Sequence, residues 1–475
     1  MLSDVIPFYG KLTPEALALE MPQGSITFAR FDADIRRMAA ALAAEGITAG
    51  QVVLVSDTRP YIHLLCLMAL LRMGCASISE ERLSRTAALV RPDWLLAEKP
   101  PEESGGARVI LHDAARLEQV LSSEPTADAP AELPGDALVR LDMTSGSTGT
   151  PKIVPLTLDA LMARLQHNGP QQHAPARMLS TLGLDVTGSF IAMLNTWQLG
   201  CPVLFAGGMP PGQAVHDLKP TVAIMAPIQA YFLLMTWKQE WSRPEAFRLG
   251  VIGGALPRKL RDGLMARITD DIRLSYASTE TWRICHGDVR QLPDLPGAAG
   301  IPLPGARLEI VDDADRPVAA GEIGNVRVRS PQMIDTYWTP DGEVRNPLFR
   351  DGWYYIGDLG HLTDDGIFVH AGRVDDVLNI GGEKIAAFEV EEQLATLQGV
   401  REAGAFILPD ADEVPRLHAG VVAEREADEL AREYRAGFRR DITVTVLKGL
   451  PRTRTGKLER GALTETVAAL RREQG

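Results

Sequence analysis

Between the hydrophobic run Leu138–Met143 and the next apolar stretch lie Thr144, Ser145, Gly146, Ser147, Thr148, Gly149, Thr150, Pro151 and Lys152. Glycines let a backbone turn tightly and bring its N–H groups up to an anion. The hydroxyls donate further hydrogen bonds, and Lys152 adds a mobile positive charge. These are the parts of a triphosphate cradle. The spacing is not Gly-x-x-x-x-Gly-Lys-Ser/Thr, so the Walker fold is not implied. A Gly/Ser linker shares this composition, but linkers seldom follow a hydrophobic strand and close on Pro-Lys. Further along, Glu280 follows Tyr276 and Thr279 and offers the oxygen ligand that Mg²⁺ favours. A lone glutamate is otherwise a solvated loop carboxylate. Asp358 after Gly357 suits two vicinal hydroxyls, although Gly-Asp turns are common in any protein. Lys457 ends the loop Pro451–Lys457 just ahead of a helix, where a surface cation gains nothing from the helix dipole. Joined, such cations, donors and a metal-binding carboxylate are the groups that phosphate chemistry needs.

The elements that must hold these residues alternate along the first half of the chain. Asp32 is expected to cap a helix with Ile35, Met38, Ala39 and Leu42 on one face, ended by Gly46. Val52–Val55 reads as a buried strand, Leu64–Met73 as an apolar helix stopped by Gly74, and Val109–Leu111 as a short strand. Such alternation predicts a helix-covered parallel sheet, hence an α/β fold. Ser122–Gly135, rich in Pro, Ala, Asp and Glu, reads as a surface loop. After Glu280 come short strands at Leu308–Val311, Asn325–Val328 and Gly366–Val369, which predict a small β-rich part. From Asp376 a compact α+β module follows: helix near Ala387–Leu397, strands near Ala405–Leu408 and Ala419–Val422, helix near Asp428–Arg439, strand near Thr443–Leu447, the Lys457 loop and a last helix.

Five segments in this order resemble the adenylate-forming superfamily of acyl- and aryl-CoA synthetases, peptide-synthetase adenylation domains and luciferases: the Thr144–Lys152 loop, Tyr276-Ala277-Ser278-Thr279-Glu280, Tyr355-Ile356-Gly357-Asp358, Gly372-Arg373-Val374-Asp375-Asp376 and Pro451–Lys457. The Asp32–Val55 region also reads like the family's first helix and strand, so the resemblance spans nearly the whole chain. It implies an N-terminal domain over 1–374, its β-rich part about 300–374, hinge-linked to a mobile C-terminal domain over 375–475. By resemblance, Thr144, Ser145, Gly146, Ser147, Thr148, Gly149 and Lys152 hold the phosphates, and Tyr276, Gly254 and Ala255 flank adenine. Asp358 and Arg373 hold ribose, Thr279 reaches the α-phosphate, Glu280 holds Mg²⁺ and Lys457 is the catalytic lysine. Asp375 is the hinge, and Gly381 and Gly382 belong to the loop that admits a pantetheine thiol after the C-terminal domain rotates. The run Gly372–Ile385 is more like the CoA synthetases than the amino-acid enzymes. Asp185, Val186, Met225, Ala226 and Trp282 fall in the implied acid pocket, and Val186, Met225, Ala226 and Trp282 point to an apolar or aromatic acid. Asp185 has two readings: partner of a substrate amine, or cap of a helix beginning near Thr187. Val186 stands where the family often has an aromatic or histidine gate.

The expected reaction is ATP-dependent formation of acyl-AMP, then transfer to a thiol, with ATP, Mg²⁺ and most readily CoA as co-substrate. Loading a separate carrier protein is the alternative, and a catalytically silent nucleotide-binding regulator is the reading from another class. Bulk properties fit an enzyme of two or three domains: 475 residues, 45% hydrophobic, with 62 acidic against 49 basic side chains. The net charge of −13 argues against a nucleic-acid partner. Cys66, Cys75, Cys201 and Cys285 lack metal-like spacing and are expected reduced in a cytoplasmic protein. The apolar stretches Leu64–Leu71 and Val222–Trp237 are too short or too interrupted to span a bilayer.

Overall fold

Two large sheets with helices between their strands, and a smaller α+β unit after them, make up a computed structural model that describes residues 4–80, 86–127, 129–144, 152–167, 176–380, 383–410, 414–452 and 458–474. The loop residues Ser145, Gly146, Ser147, Thr148 and Gly149, together with Gly381, Gly382 and Lys457, lie outside the described residues.

The first sheet has six strands in the order Arg108–Leu111, Trp94–Ala97, Val52–Ser56, Ala76–Ser79, Leu138–Thr144, Lys152–Thr157. The first five run parallel, and the last turns back as a hairpin in which Thr144 pairs with Lys152. Val52–Ser56 is buried throughout, as a strand covered on both faces must be. The helix Pro60–Met73 is buried almost all round and ends on Gly74 in the left-handed region (φ 77°).

The second sheet begins with a parallel run, Leu17–Met21, Val203–Phe205, Met178–Ser180, Val222–Met225, Arg248–Val251 and Ile272–Ser278. It continues antiparallel through Trp282–Asp288, Ala298–Pro302, Phe368–Arg373, Trp353–Leu362, Gly324–Arg329 and Arg307–Val311. The β-rich part is thus an extension of the large sheet, joined through Ala298–Pro302. In such sheets ligands bind beyond the carboxyl ends of the parallel strands. Those ends deliver Ala226, Gly253 and Thr279–Glu280 to one rim.

One local expectation is corrected. The first long helix spans Phe28–Ala44 and its cap is Thr27, whose hydroxyl accepts the Arg30 N–H at 3.3 Å. Asp32 lies a turn inside, buried and paired with Arg36. Ile35, Met38, Ala39 and Leu42 do form the buried face.

The last unit holds a hairpin of Val377–Ile380 and Glu383–Ala386 and a three-stranded sheet of Val400–Pro409, Pro415–Ala423 and Thr443–Val446. Helices Ala387–Thr396, Ala427–Phe438 and Arg460–Gln474 cover it. Its core of Val390, Leu394, Leu417, Ala419, Leu430 and Tyr434 is its own.

Candidate active site

The nucleoside end of the site is built by the paired strands Trp353–Leu362 and Phe368–Arg373, with Ile272–Ser278 from further along the same sheet. Tyr276 stands on Ile272–Ser278 and donates its hydroxyl to Asp358 Oδ2 at 2.6 Å. Asp358, on Trp353–Leu362, is buried, and its register partner is Arg373, whose Nε lies 3.7 Å from Oδ1. His370 Nε2 stands 3.6 Å from Oδ2. Burial pushes the Asp358 carboxyl up, but His370, Tyr276 and Arg373 together outweigh it and hold it below the usual carboxylate range. Burial and the Asp358 charge push the Tyr276 phenol far up, so it stays a donor. Gly357 adopts φ 80°, and a Cβ there would lie 3.1 Å from Arg373 Nη2. The left-handed backbone favours glycine, and a Cβ would crowd the guanidinium by a few tenths of an ångström. His370 was not foreseen; a lone histidine in a short strand carries no sequence signal, and only the pairing of the two strands brings it to Asp358.

The phosphate end begins two residues beyond the end of the Tyr276 strand. Glu280 is buried; its carboxylate accepts the Tyr337 hydroxyl at 3.0 Å, and its carbonyl accepts the Ile334 N–H at 2.8 Å. Asn346 Nδ2 donates to the Tyr337 hydroxyl at 2.8 Å. Burial and then Glu280 raise the phenols of Tyr337 and Tyr354 well above their ordinary value. Lys152 Nζ stands 5.2 Å from the centre of the Tyr337 ring, a cation–π distance that joins the phosphate hairpin to the glutamate. Thr144, across the hairpin, donates its hydroxyl to the Lys152 carbonyl at 3.3 Å. Thr279 is half-buried beside Glu280.

Three charged side chains beneath this end went unforeseen: Arg140, Asp142 and Arg164. Each is almost wholly enclosed. Arg140 Nε bonds Asp142 Oδ1 at 2.8 Å, and Arg140 Nη2 donates to the Leu184 carbonyl at 2.8 Å. Arg164 Nη2 donates to the Thr279 carbonyl at 2.8 Å and lies over the Trp282 ring. Burial lowers the Arg164 pKa to about 10 against the pull of Asp142 and Glu280. Arg140 Nη1, Asp142 Oδ2 and Arg164 Nε and Nη1 have no hydrogen-bond partner among the described residues. Trp282 sits at φ 60°, a left-handed conformation rare for a bulky side chain.

Of the implied acid pocket, Asp185 and Val186 are half-buried at the start of the helix Thr187–Gln198. The N-cap position belongs to Val186, which makes no side-chain cap, so the capping reading of Asp185 loses its position. Ala226 and Trp282 are buried nearby along the strand ends, and Met225 is completely enclosed in the core of the large sheet. Gly254 is exposed and Ala255 half-buried, and the preceding Gly253 takes φ 81° with open space where a Cβ would stand. The four cysteines are buried and free, and burial raises the Cys75 thiol to about 12 and those of Cys66 and Cys285 further. A buried protonated thiol is a poor nucleophile. No helix among the described residues is long and apolar enough to cross a membrane.

No group of three or more His, Cys, Asp or Glu fit to hold a metal occurs among the described residues. A magnesium carried on a triphosphate does not need one. It keeps most of its ligands as water and phosphate oxygens and takes one or two protein oxygens. The buried Glu280 carboxylate is an oxygen ligand of that kind.

Residues 10–338 match the family of AMP-binding enzymes. The salicyl-AMP ligase / salicyl-S-ArCP synthetase of Mycobacterium tuberculosis is 28% identical over 94% of this chain and 86% of its own. The 3-hydroxybenzoate–CoA ligase of an Aromatoleum species is 25% identical over 94% of this chain and 92% of its own. The structure superposes on O-succinylbenzoate coenzyme A synthetase from Bacillus subtilis, in complex with AMP, with a TM-score of 0.83 and 24% identity, covering 97% of this chain and 98% of the other. The chain belongs to the AMP-binding enzyme family, within the adenylate-forming superfamily, and is an AMP-forming acid–thiol ligase.

Proposed function

We propose that this ligase activates a small aromatic carboxylic acid and passes the acyl group to the thiol of CoA. The observation that carries the assignment of roles is the line from Asp358 through Tyr276 to Glu280. One strand, Ile272–Ser278, bears the ribose partner's donor near its end and the metal-ligand candidate just beyond it. That is the order of groups along a nucleotide from ribose to triphosphate.

In this reading Asp358 and Arg373 take the ribose hydroxyls, and Tyr276 packs against adenine while Gly254 and Ala255 line its other side. The Thr144–Lys152 hairpin, with Ser145, Gly146, Ser147, Thr148 and Gly149, cradles the terminal phosphates. Thr279 donates to the α-phosphate. Glu280 would hold Mg²⁺, which when bound screens the phosphate charge that the incoming carboxylate must approach. Lys457 donates to the α-phosphate and the carboxylate at once. The carboxylate oxygen forms a bond to the α-phosphorus as pyrophosphate leaves. The thiol then attacks the acyl carbon and AMP leaves. Residues 1–374 act as the binding body and 375–475 as the mobile part, turning at Asp375 so that Gly381 and Gly382 admit the thiol. The acid is placed between Asp185, Val186, Ala226 and Trp282, with Met225 forming the wall behind. The aromatic class is supported by two relatives named for salicylate and 3-hydroxybenzoate.

The salicyl-S-ArCP synthetase favours a second reading, in which a separate carrier protein is the acceptor. A cytoplasmic location is part of the same proposal. Acid-dependent exchange of pyrophosphate into ATP, screened over aryl, short-chain, long-chain and amino acids, tests the activation step. AMP release driven by CoA against a phosphopantetheinylated carrier tests the acceptor. The highest exchange with an aliphatic or amino acid would overturn the aromatic reading, and no exchange with any acid would favour a silent regulator.

A further inference from the structure

Arg460 occupies the first position of the last helix, Arg460–Gln474, three residues after Lys457. A cation at the positive end of a helix dipole is disfavoured unless something else holds it. Here three groups hold it. Its Nε bonds Asp376 Oδ1 at 3.1 Å, its Nη1 bonds Glu391 Oε1 at 2.5 Å, and Nη1 also donates to the Ala405 carbonyl at 2.5 Å. Glu391 in turn accepts the Ala405 N–H at 2.9 Å. The side chains of Arg460 and Glu391 are about one-fifth exposed and that of Asp376 about one-third, so these are not freely solvated surface pairs.

Asp376 is the residue after Asp375, in the short 3₁₀ turn Val374–Asp376. The hairpin Val377–Ala386 leaves that turn directly and needs no tether to follow it. The Lys457 loop is about eighty residues away in sequence and has no such covalent continuity. Arg452 ties the other end of the loop to Glu402 on the strand Val400–Pro409, and Arg460 supplies the direct connection to the hinge: it fastens the base of the loop to the hinge turn itself, and through Glu391 to the helix that follows the hairpin. A rotation at Asp375 then moves the base of the loop without slack.

We propose that Asp376 and Arg460 are positioning residues for acyl-AMP formation, a clamp that transmits the turn at Asp375 to Lys457. This rests on the reading of Lys457 as the lysine of the first half-reaction. The clamp serves one half-reaction only, because the hairpin side of the unit is tied to the hinge by the chain. A misplacement of about 1 Å at a reacting group costs up to about a hundredfold in rate, and loss of one of three anchors is expected to cost about tenfold.

The test uses the full chain, with the best acid of the exchange screen and its synthetic acyl-AMP as probes. Asp376→Ala removes the hinge anchor and leaves the Arg460–Glu391–Ala405 contacts in place, so the unit keeps its fold; an unchanged melting temperature checks this. Pyrophosphate exchange should fall about tenfold, while thioester formation from acyl-AMP stays within about twofold. Asp376→Glu should restore part of the exchange. Combined with Lys457→Ala, Asp376→Ala should cost nothing further, since it acts through that lysine. Equal losses in both half-reactions, no loss, or additive losses in the double variant would overturn the clamp. If Lys457→Ala alone leaves exchange intact, the lysine reading fails and takes the clamp with it. If Lys457→Ala cripples exchange and Asp376→Ala leaves it unchanged, the clamp alone is wrong.

Discussion

The two ends of the site are built on opposite plans. At the nucleoside end Asp358 is met by a tyrosine, a histidine and an arginine, and both its oxygens face a partner before any ligand arrives. At the phosphate and acid end, Arg140, Asp142 and Arg164 are buried with polar atoms that have no partner among the described residues, and Trp282 holds a strained backbone conformation. The nucleoside network is the more fully paired of the two, though Arg373 Nε too lacks a hydrogen-bond partner among the described residues; it binds the unchanging part of a substrate, and does so equally in the ground and transition states. Unfinished polar atoms and strain gather where charge will change, and only interactions gained in the transition state speed the reaction. Substitutions at the first end should therefore act on KM and those at the second on kcat.

The comparison is most exposed at Lys457. Lys457→Ala should slow acyl-AMP formation by about 10²-fold or more, as loss of one donor to a developing charge does, and should spare the step from acyl-AMP to thioester. Gly382→Leu should do the reverse. Equal losses in pyrophosphate exchange and thioester formation for both variants would remove the division of labour. Glu280→Gln should come next, with exchange slowed about tenfold or more and a higher Mg²⁺ concentration needed for half-maximal rate; an unchanged Mg²⁺ titration would take Glu280 out of the metal role. Tyr276→Phe should sharpen the contrast from the other side. It removes a hydrogen bond to a carboxylate, worth about 1.5 kcal/mol, so KM for ATP should rise about tenfold with kcat nearly constant. A fall in kcat of the same size would erase the distinction between the ends. The smallest overall effect belongs to Asp185→Ala. Because Val186 holds the cap position, thermal stability should change by less than the ~1 kcal/mol of a lost cap, while the ranking of acids in the exchange screen should shift. Stability loss with an unchanged ranking would return Asp185 to a structural part.

The order of motifs along the chain was legible because each depends on residue types that a backbone conformation or a ligand demands. Gly357 is an example: φ 80° and the nearness of Arg373 both favour glycine. The strands and helices around them were legible from period and punctuation, down to the stop at Gly74. Three kinds of feature were not. His370 and Tyr337 reach the site only through strand pairing and packing over long separations, for which a single sequence holds no local mark. Arg140, Asp142 and Arg164 interrupt a strand and a helix in the way solvent-facing charges do, so their burial could not be read from pattern. Asp32 satisfied the capping rule by type, but Thr27 satisfied it by position, and the aspartate found Arg36 instead.

The junction at Ala298–Pro302 also bears on how this enzyme could be recombined with its relatives. Because that strand sews the β-rich part to the large sheet, the partners Tyr276 and Asp358 stand on opposite sides of the seam. A chimera that changes parent between residues 279 and 352 would separate two side chains adapted to each other, and its first failure should be in ATP affinity. Exchanging the segment from Met178 through Val251 carries the loop with Asp185 and Val186 and the turn with Ala226 as one block, and leaves Tyr276 and Asp358 with their original parent. Transplants within that block are the ones expected to alter acid choice while keeping the nucleotide.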